Sequence, residues 1–220
     1  MPSRDQQTLP LQVPVSEAKR LDLGEDCWLE LYPDFAAMEH EALLDALREE
    51  LPWSQEVYRR GGRVVPAPRL TSFHGDPGCA YTYSGIAYEP EPFTQSLLAL
   101  RATLLRTTAI DFNSVLANLY RDGRDSLGMH ADDEPELGPS RRDIPIASLS
   151  LGAARRFVLA HRKDGRRQVY QLGGGCLLVM RGLTQQRWVH GVPKTKTQVG
   201  PRLNLTFRVI TPRGRKPPQT

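Results

Sequence analysis

Between Pro201 and Ile210 the chain alternates without a break. Arg202, Asn204, Thr206 and Arg208 fall on one side of an extended strand, and Leu203, Leu205, Phe207 and Val209 fall on the other. The apolar set must pack against a neighbouring layer. Two arginines and an asparagine in a dry core would be costly without partners, so the polar set must line a cavity. Phe112–Tyr120 repeats the pattern: Leu116, Asn118 and Tyr120 share a face opposite Val115, Ala117 and Leu119. Arg202 and Arg208 lie about 20 Å apart along such a strand. Side chains of that length, leaning inward, can bracket a small dicarboxylate, because the guanidinium fork binds a carboxylate bidentately.

The surrounding texture fits a mainly-β fold. From Phe112 onward, short apolar runs are separated by Gly, Pro and charged turns. The runs predict strands at Phe112–Tyr120, Ile146–Leu151, Phe157–His161, Val169–Leu172, Cys176–Met180, Trp188–Val192 and Arg202–Ile210. Seven strands at this spacing imply a jelly roll, with an α+β character supplied by an N-terminal layer. In that layer Trp28–Tyr32 reads as a strand ended by Pro33. Asp34 offers an N-cap for a helix running to about Leu51, with Met38, Ala42, Leu43 and Leu47 as its apolar face. A second helix is expected from Pro92 to about Thr107 on a stripe of Phe93, Leu97, Leu100 and Leu104. Residues 1–25 show no sustained periodicity and read as a flexible leader.

Composition excludes several classes. A length of 220 residues with 40% hydrophobic content suits one globular domain with decoration. The longest apolar run, Cys176–Met180, is far short of the roughly 20 residues a membrane span needs. The N-terminus lacks a secretory pattern, so cytosol or nucleus is expected, with no membrane partner and a monomer as the default. Cys27, Cys79 and Cys176 form no CxxC pair, which argues against disulfides and a zinc ribbon. The net charge of +4 and pI near 9.1 are compatible with a nucleic-acid partner. Basic residues gather at Arg59, Arg60, Arg63 and Arg69, at Arg162, Lys163, Arg166 and Arg167, and at Arg213, Arg215 and Lys216. A solvated surface explains each cluster equally well.

A metal site is the sharpest chemical signal. On an extended strand His130 and Asp132 share a face while Ala131 points away. His74-Gly75-Asp76 has the same spacing, but it runs into Pro77-Gly78 and no downstream partner belongs to it. His130 and Asp132 follow a strand, and Trp188-Val189-His190 supplies a late histidine on another. Two histidines and one carboxylate on one face of an octahedral ion leave positions open, as in non-haem Fe(II) oxygenases. Taken alone, His190 would be a satisfied core histidine. Tyr81-Thr82-Tyr83-Ser84 alternates like a strand with both rings on one side, which suits a flat ligand, although packing on the core is the commoner use of such a pair.

Together these residues carry a resemblance. The order Asn118-x-Tyr120, His130-x-Asp132, His190, then Arg202-x-Asn204-x-Thr206-Phe207-Arg208 is similar to the AlkB family of Fe(II)/2-oxoglutarate dioxygenases. Asp132-Asp133-Glu134, Ile146–Ala153 and Tyr81–Gly85 resemble its nucleic-acid repair branch, over roughly Arg69 to Ile210. The resemblance implies His130, Asp132 and His190 as iron ligands. It implies Arg202, with Tyr120, at the distal carboxylate of 2-oxoglutarate and Arg208 at the carboxylate beside the keto group. Leu116, Asn118 and Asn204 would complete that pocket. Tyr81, Tyr83 and Ser84 would belong to a lid over the damaged base, with Arg69, Asp133 and Glu134 as further substrate contacts. Residues 26–110 would then be N-terminal helices and nucleotide-recognition lid, 111–211 the jelly-roll core, and 212–220 a basic tail.

The implied activity is oxidative removal of alkyl groups from bases such as 1-methyladenine and 3-methylcytosine in DNA, with RNA as an alternative. O2 and 2-oxoglutarate would be consumed, and formaldehyde, succinate and CO2 released. Rival readings are the same chemistry on a protein or small molecule, a nucleic-acid binder with a dead barrel, and a zinc or cupin-type site. The last would leave the Arg202–Arg208 strand without a purpose.

Overall fold

The computed structural model describes residues 17–83, 86–137 and 143–211. A hairpin of β1 (Lys19–Gly24) and β2 (Cys27–Tyr32) precedes α1 (His40–Glu50). Two small hairpins follow, β3 (Val57–Arg60) with β4 (Arg63–Pro66), then, after β5 (Leu70–Gly75), β6 (Tyr81–Tyr83) with β7 (Ile86–Tyr88). Helix α2 (Gln95–Thr108) leads into β8 (Ser114–Tyr120) and β9 (Leu127–His130). The remainder is β10 (Ile146–Gly152), β11 (Arg155–His161), β12 (Arg167–Leu172), β13 (Cys176–Gly182), the single turn α3 (Thr184–Arg187), β14 (Trp188–Val192) and β15 (Arg202–Arg208).

Two antiparallel sheets form the jelly roll. The larger has the order β1-β2-β13-β10-β15-β8-β5 and the smaller β12-β11-β14-β9. Alternation along each strand divides the core. Leu203, Leu205 and Phe207 of β15, Ala117 and Leu119 of β8, and Leu149 of β10 face a cluster completed by Leu44 and Leu47 of α1 and Leu97, Leu100 and Leu104 of α2. Tyr120, Ile146, Leu178 and Met180 point the other way and meet Phe157, Leu159 and Trp188 of the small sheet. The layers are therefore helices, large sheet, small sheet. Every residue of β15 is buried, and the strand is paired on both edges. In that register Arg202 lies opposite Tyr120 and Asn204 opposite Asn118.

Several boundaries differ from the sequence expectation, each for a tertiary reason. Lys19–Gly24 falls in the expected leader but pairs with β2 across a turn in which Glu25 and Asp26 take φ of 55° and 58°. Asp34 caps no helix. Phe35 and Ala36 are buried instead, with the Ala36 N–H donating to Gly175 O at 2.9 Å, so α1 begins only at His40. Met38, expected on the apolar face, is 92% exposed as a result. Thr94 rather than Pro92 sets the start of α2, its hydroxyl accepting from Leu97 N–H. The last strand ends at Arg208, not Ile210. All three cysteines are buried and unpaired, and burial pushes the Cys176 thiol up to about 11. The expected leader up to residue 16, Ser84 and the basic tail at 212–220 lie outside the described residues.

Leu205 is fully buried, with Ala117 and Leu149 as its strand neighbours on either side. Leu205→Ala should therefore cost about 2–5 kcal/mol through the cavity it leaves. A urea titration should show a lower midpoint at unchanged slope.

Candidate active site

The pairing of β14 with β9 sets His190 directly opposite His130, with ring centroids 4.4 Å apart. Asp132 lies two residues beyond His130, past the end of β9, so the chain's path rather than strand periodicity brings its carboxylate back. That path is held by Gln185, whose side-chain oxygen accepts the Asp132 N–H at 3.0 Å. Asp132 Oδ2 is then 3.3 Å from His190 Nε2. One ligand atom from each of the three residues lies within 4.8 Å of the others.

Protonation states suit metal binding. His130 Nδ1 lies 3.0 Å from Gly128 O; against a carbonyl it must donate, which leaves the Nε2 lone pair for a cation. Burial, helped by neighbouring His190, lowers the His130 pKa to about 4, so the ring is neutral near pH 7. At Asp132 burial opposes ionisation, but the Arg208 guanidinium and the two histidines outweigh it and hold the carboxyl well below the usual range. Arg208 Nε donates to Asp132 Oδ1 at 3.0 Å, and its Nη2 meets the same oxygen.

These residues share a cavity of about 270 Å³ between the sheets. Leu116, Asn118, Tyr120, Asn204, Thr206 and Arg208 form one wall, and His130, Phe157 and His190 stand opposite. Asn204, Thr206 and Arg208 of the polar face of β15 thus line a cavity as alternation requires, whereas Arg202, expected there too, is not among its walls. Asn204 Oδ1 accepts from Ser148, Ser150 and Arg202, at 2.9, 3.3 and 2.7 Å. Arg202 sits one layer deeper, behind Asn204 and against the Tyr120 ring, whose centroid is 5.1 Å from its Cζ. It is 1% exposed, its Nε finds no hydrogen-bond partner, and no carboxylate pairs with it among the described residues. A guanidinium this buried calls for an anion.

Other expected residues divide. Arg69 lines the cavity and donates from Nε to Asn118 Oδ1 at 2.7 Å. Asp133 does not line it: its carboxylate pairs with Arg162 at 3.0 Å. Glu134 is likewise absent from the walls. Tyr81 and Tyr83 lie on the β6–β7 hairpin, where the described geometry is that of the backbone, and Ser84 is outside the described residues. His74, of the twin motif, is structural. Its two ring nitrogens meet Ser72 Oγ and Pro92 O, both at 2.8 Å, and Asp76 pairs with Arg101.

Comparison with known proteins agrees with this geometry. The sequence model of the 2OG-Fe(II) oxygenase superfamily matches residues 29–208. The mouse protein named alpha-ketoglutarate-dependent dioxygenase alkB homolog 3 is 40% identical over 201 residues, covering 86% of this chain and 68% of that one. Mouse DNA oxidative demethylase ALKBH2 is 37% identical over 194 residues, covering 81% and 80%. The chain belongs to the AlkB family of 2OG-Fe(II) oxygenases. The solved structure of OsALKBH1 shares the fold, with a TM-score of 0.54 at 20% identity over 87% of this chain and all of that one.

As an AlkB-family enzyme it uses Fe(II), 2-oxoglutarate and O2. The residues present fit the first two. Two imidazoles and a carboxylate converge within metal-binding reach, and at the end of β15 away from Arg208 stands a buried cation that no carboxylate pairs with among the described residues.

Some functional residues escaped sequence reasoning. Ser148, Phe157 and Met180 line the cavity on inward faces that strict alternation could have flagged. Glu56, Glu89 and Glu91 reach the walls from loops and carried no signal. Gln185, on a single helical turn, carried none either. Replacing it with Leu leaves the buried Asp132 N–H without an acceptor, at a cost of about 1–3 kcal/mol. Manganese affinity should fall about 10-fold as Asp132 loses its fixed position. Paramagnetic resonance titration with Mn(II), alongside thermal denaturation, measures both effects.

Proposed function

We infer that this chain is an oxidative demethylase of N-alkylated nucleic-acid bases, with 1-methyladenine and 3-methylcytosine in DNA as its substrates. The observation that carries this reading is one cavity joining three elements: the His130, Asp132 and His190 cluster, the polar face of β15, and three carboxylates from Glu56, Glu89 and Glu91. Carboxylates lining the site would repel a phosphate backbone, but they suit a base made cationic by its extra methyl group. The names of the mouse relatives, a dioxygenase and a DNA oxidative demethylase, support the same class.

His130, Asp132 and His190 would hold iron, and Arg202, beside Tyr120 and Asn204, would take a carboxylate of 2-oxoglutarate. When bound, iron and 2-oxoglutarate supply with O2 the oxidation that places a hydroxyl on the alkyl carbon. Arg208 keeps Asp132 ionised and aimed. The neutral His130 ring keeps its lone pair available. Phe157, 5.3 Å from the His190 ring, gives that wall an apolar surface that excludes water. A base inside a duplex could not reach these groups, so the substrate enters flipped or single-stranded. The N-hydroxymethyl product then loses formaldehyde: its N–C bond breaks, the electron pair returns to the ring nitrogen, and the hydroxyl proton leaves to solvent. We propose cytosol or nucleus as the matching compartment.

The test is a panel of methylated and unmethylated DNA and RNA oligonucleotides, each single- and double-stranded. Formaldehyde release is expected from 1-methyladenine and 3-methylcytosine only when Fe(II) and 2-oxoglutarate are both present. Asp132→Ala should abolish turnover and metal binding together, and full activity in chelator-treated protein would sink the reading. Arg202→Ala should raise the 2-oxoglutarate requirement at least tenfold, while the oligonucleotide requirement stays put.

A further inference from the structure

We propose that Arg155 is a positioning residue for the reaction, a single guanidinium that fixes the spacing of the two histidine strands and the seat of Tyr120. This rests on the reading that His130, Asp132 and His190 hold iron and that Arg202 receives the cosubstrate. Arg155 opens β11 and is 3% exposed. Its Nη1 donates to Asp122 O at 3.0 Å, and its Nη2 donates to Asp125 O at 2.8 Å and Pro193 O at 2.9 Å.

Those three carbonyls belong to two loops that matter. The first, residues 121–126, leaves Tyr120 at the end of β8 and delivers the chain to β9 and His130. The second begins at Pro193, three residues after His190. They touch each other directly: the Thr195 N–H donates to Gly123 O at 2.8 Å, and a Cβ on Gly123 would lie 2.7 Å from Thr195 O. Arg155 therefore bridges the segment entering one histidine strand and the segment leaving the other.

The neighbouring arginines set the contrast. Arg121 pairs with the Asp125 carboxylate at 2.8 Å and Arg124 with the Asp122 carboxylate at 2.7 Å. The carboxylates of Asp122 and Asp125 are thus engaged within the loop, and two of its carbonyls, those of the same two residues, accept from Arg155. Bonds to carbonyls fix backbone position, whereas an ion pair would fix only a side chain. The same guanidinium lies 5.8 Å from the Tyr120 ring centroid, and Arg202 lies 5.1 Å from it. Two buried cations thus lie against one ring of the cavity wall.

The experiment compares apo wild type with Arg155→Lys, Arg155→Gln and Gly123→Ala, the last disturbing the loop contact without touching Arg155. Arg156→Gln, on the exposed side of the same strand, is the control. Mn(II) affinity is read by paramagnetic resonance and 2-oxoglutarate affinity by calorimetry at saturating Mn(II). Arg155→Gln should weaken both about 10-fold, in the range of residues that orient metal ligands. Arg155→Lys should fall between, since one ammonium cannot span three carbonyls. The KM for 2-oxoglutarate should rise in parallel, with the KM for methylated oligonucleotide unchanged. If Arg155→Lys or Gly123→Ala keeps the wild-type circular dichroism spectrum and binds both as wild type does, the proposal is overturned. Wild-type protein that binds neither would overturn this proposal and the underlying reading together.

Discussion

A strand paired on both edges and buried on both faces has no place for an unanswered charge, and β15 carries two arginines. Much of the molecule is the answer to that constraint. On one face Leu203, Leu205 and Phe207 demand a hydrophobic layer, which α1 and α2 supply. On the other, Arg208 meets Asp132, and Arg202 meets hydroxyl, amide and aromatic groups but no carboxylate among the described residues. The two ends of one strand thus differ in electrostatic state. One is neutralised by a metal-ligand candidate, and the other meets only neutral groups among the described residues. An Fe(II) enzyme with a dicarboxylate cosubstrate needs that asymmetry.

How much of this could be read from residues alone depended on periodicity. The β15 and β8 faces obey a period of two, so their inward residues and the existence of a cavity followed directly. Trp28–Tyr32 and the strands from Ile146 onward were legible instead as short apolar runs bounded by Pro, Gly and charged turns. Asp132 was assigned to the His130 face by that rule, and the structure reaches the same proximity by another route, an irregular segment pinned by Gln185. Loop residues were opaque. Glu56, Glu89 and Glu91 come together through tertiary packing, with Glu91 tied by its backbone to Phe73 and Gly75 of β5. Asp133 looked like a substrate contact by position, yet a long-range pair with Arg162 claims its carboxylate. The N-cap expected at Asp34 and the helix start expected at Pro92 failed for this cause too: local propensity lost to burial of Phe35 and Ala36 in one case and to the Thr94 hydroxyl in the other.

Charge is segregated within the cavity as well. The chain carries a net +4, yet the loops reaching its candidate site bring three glutamates, while two guanidiniums lie behind the wall against Tyr120. A small dianion and a cationic base would each find a compatible end, and neither would compete for the other's place.

Strand β9 also has a mechanical consequence. It is the edge of the small sheet, four residues long and, among the described strands, hydrogen-bonded to β14 alone, and Met129 beside His130 is half exposed. Edge strands with one partner are where sheets open first. An ion gripping His130 on this edge and His190 on the next strand would rivet shut the seam most prone to part. Loss of metal would then register as fraying of the rim before any change in the body of the barrel, so the ion would serve as a fastener as well as a reagent.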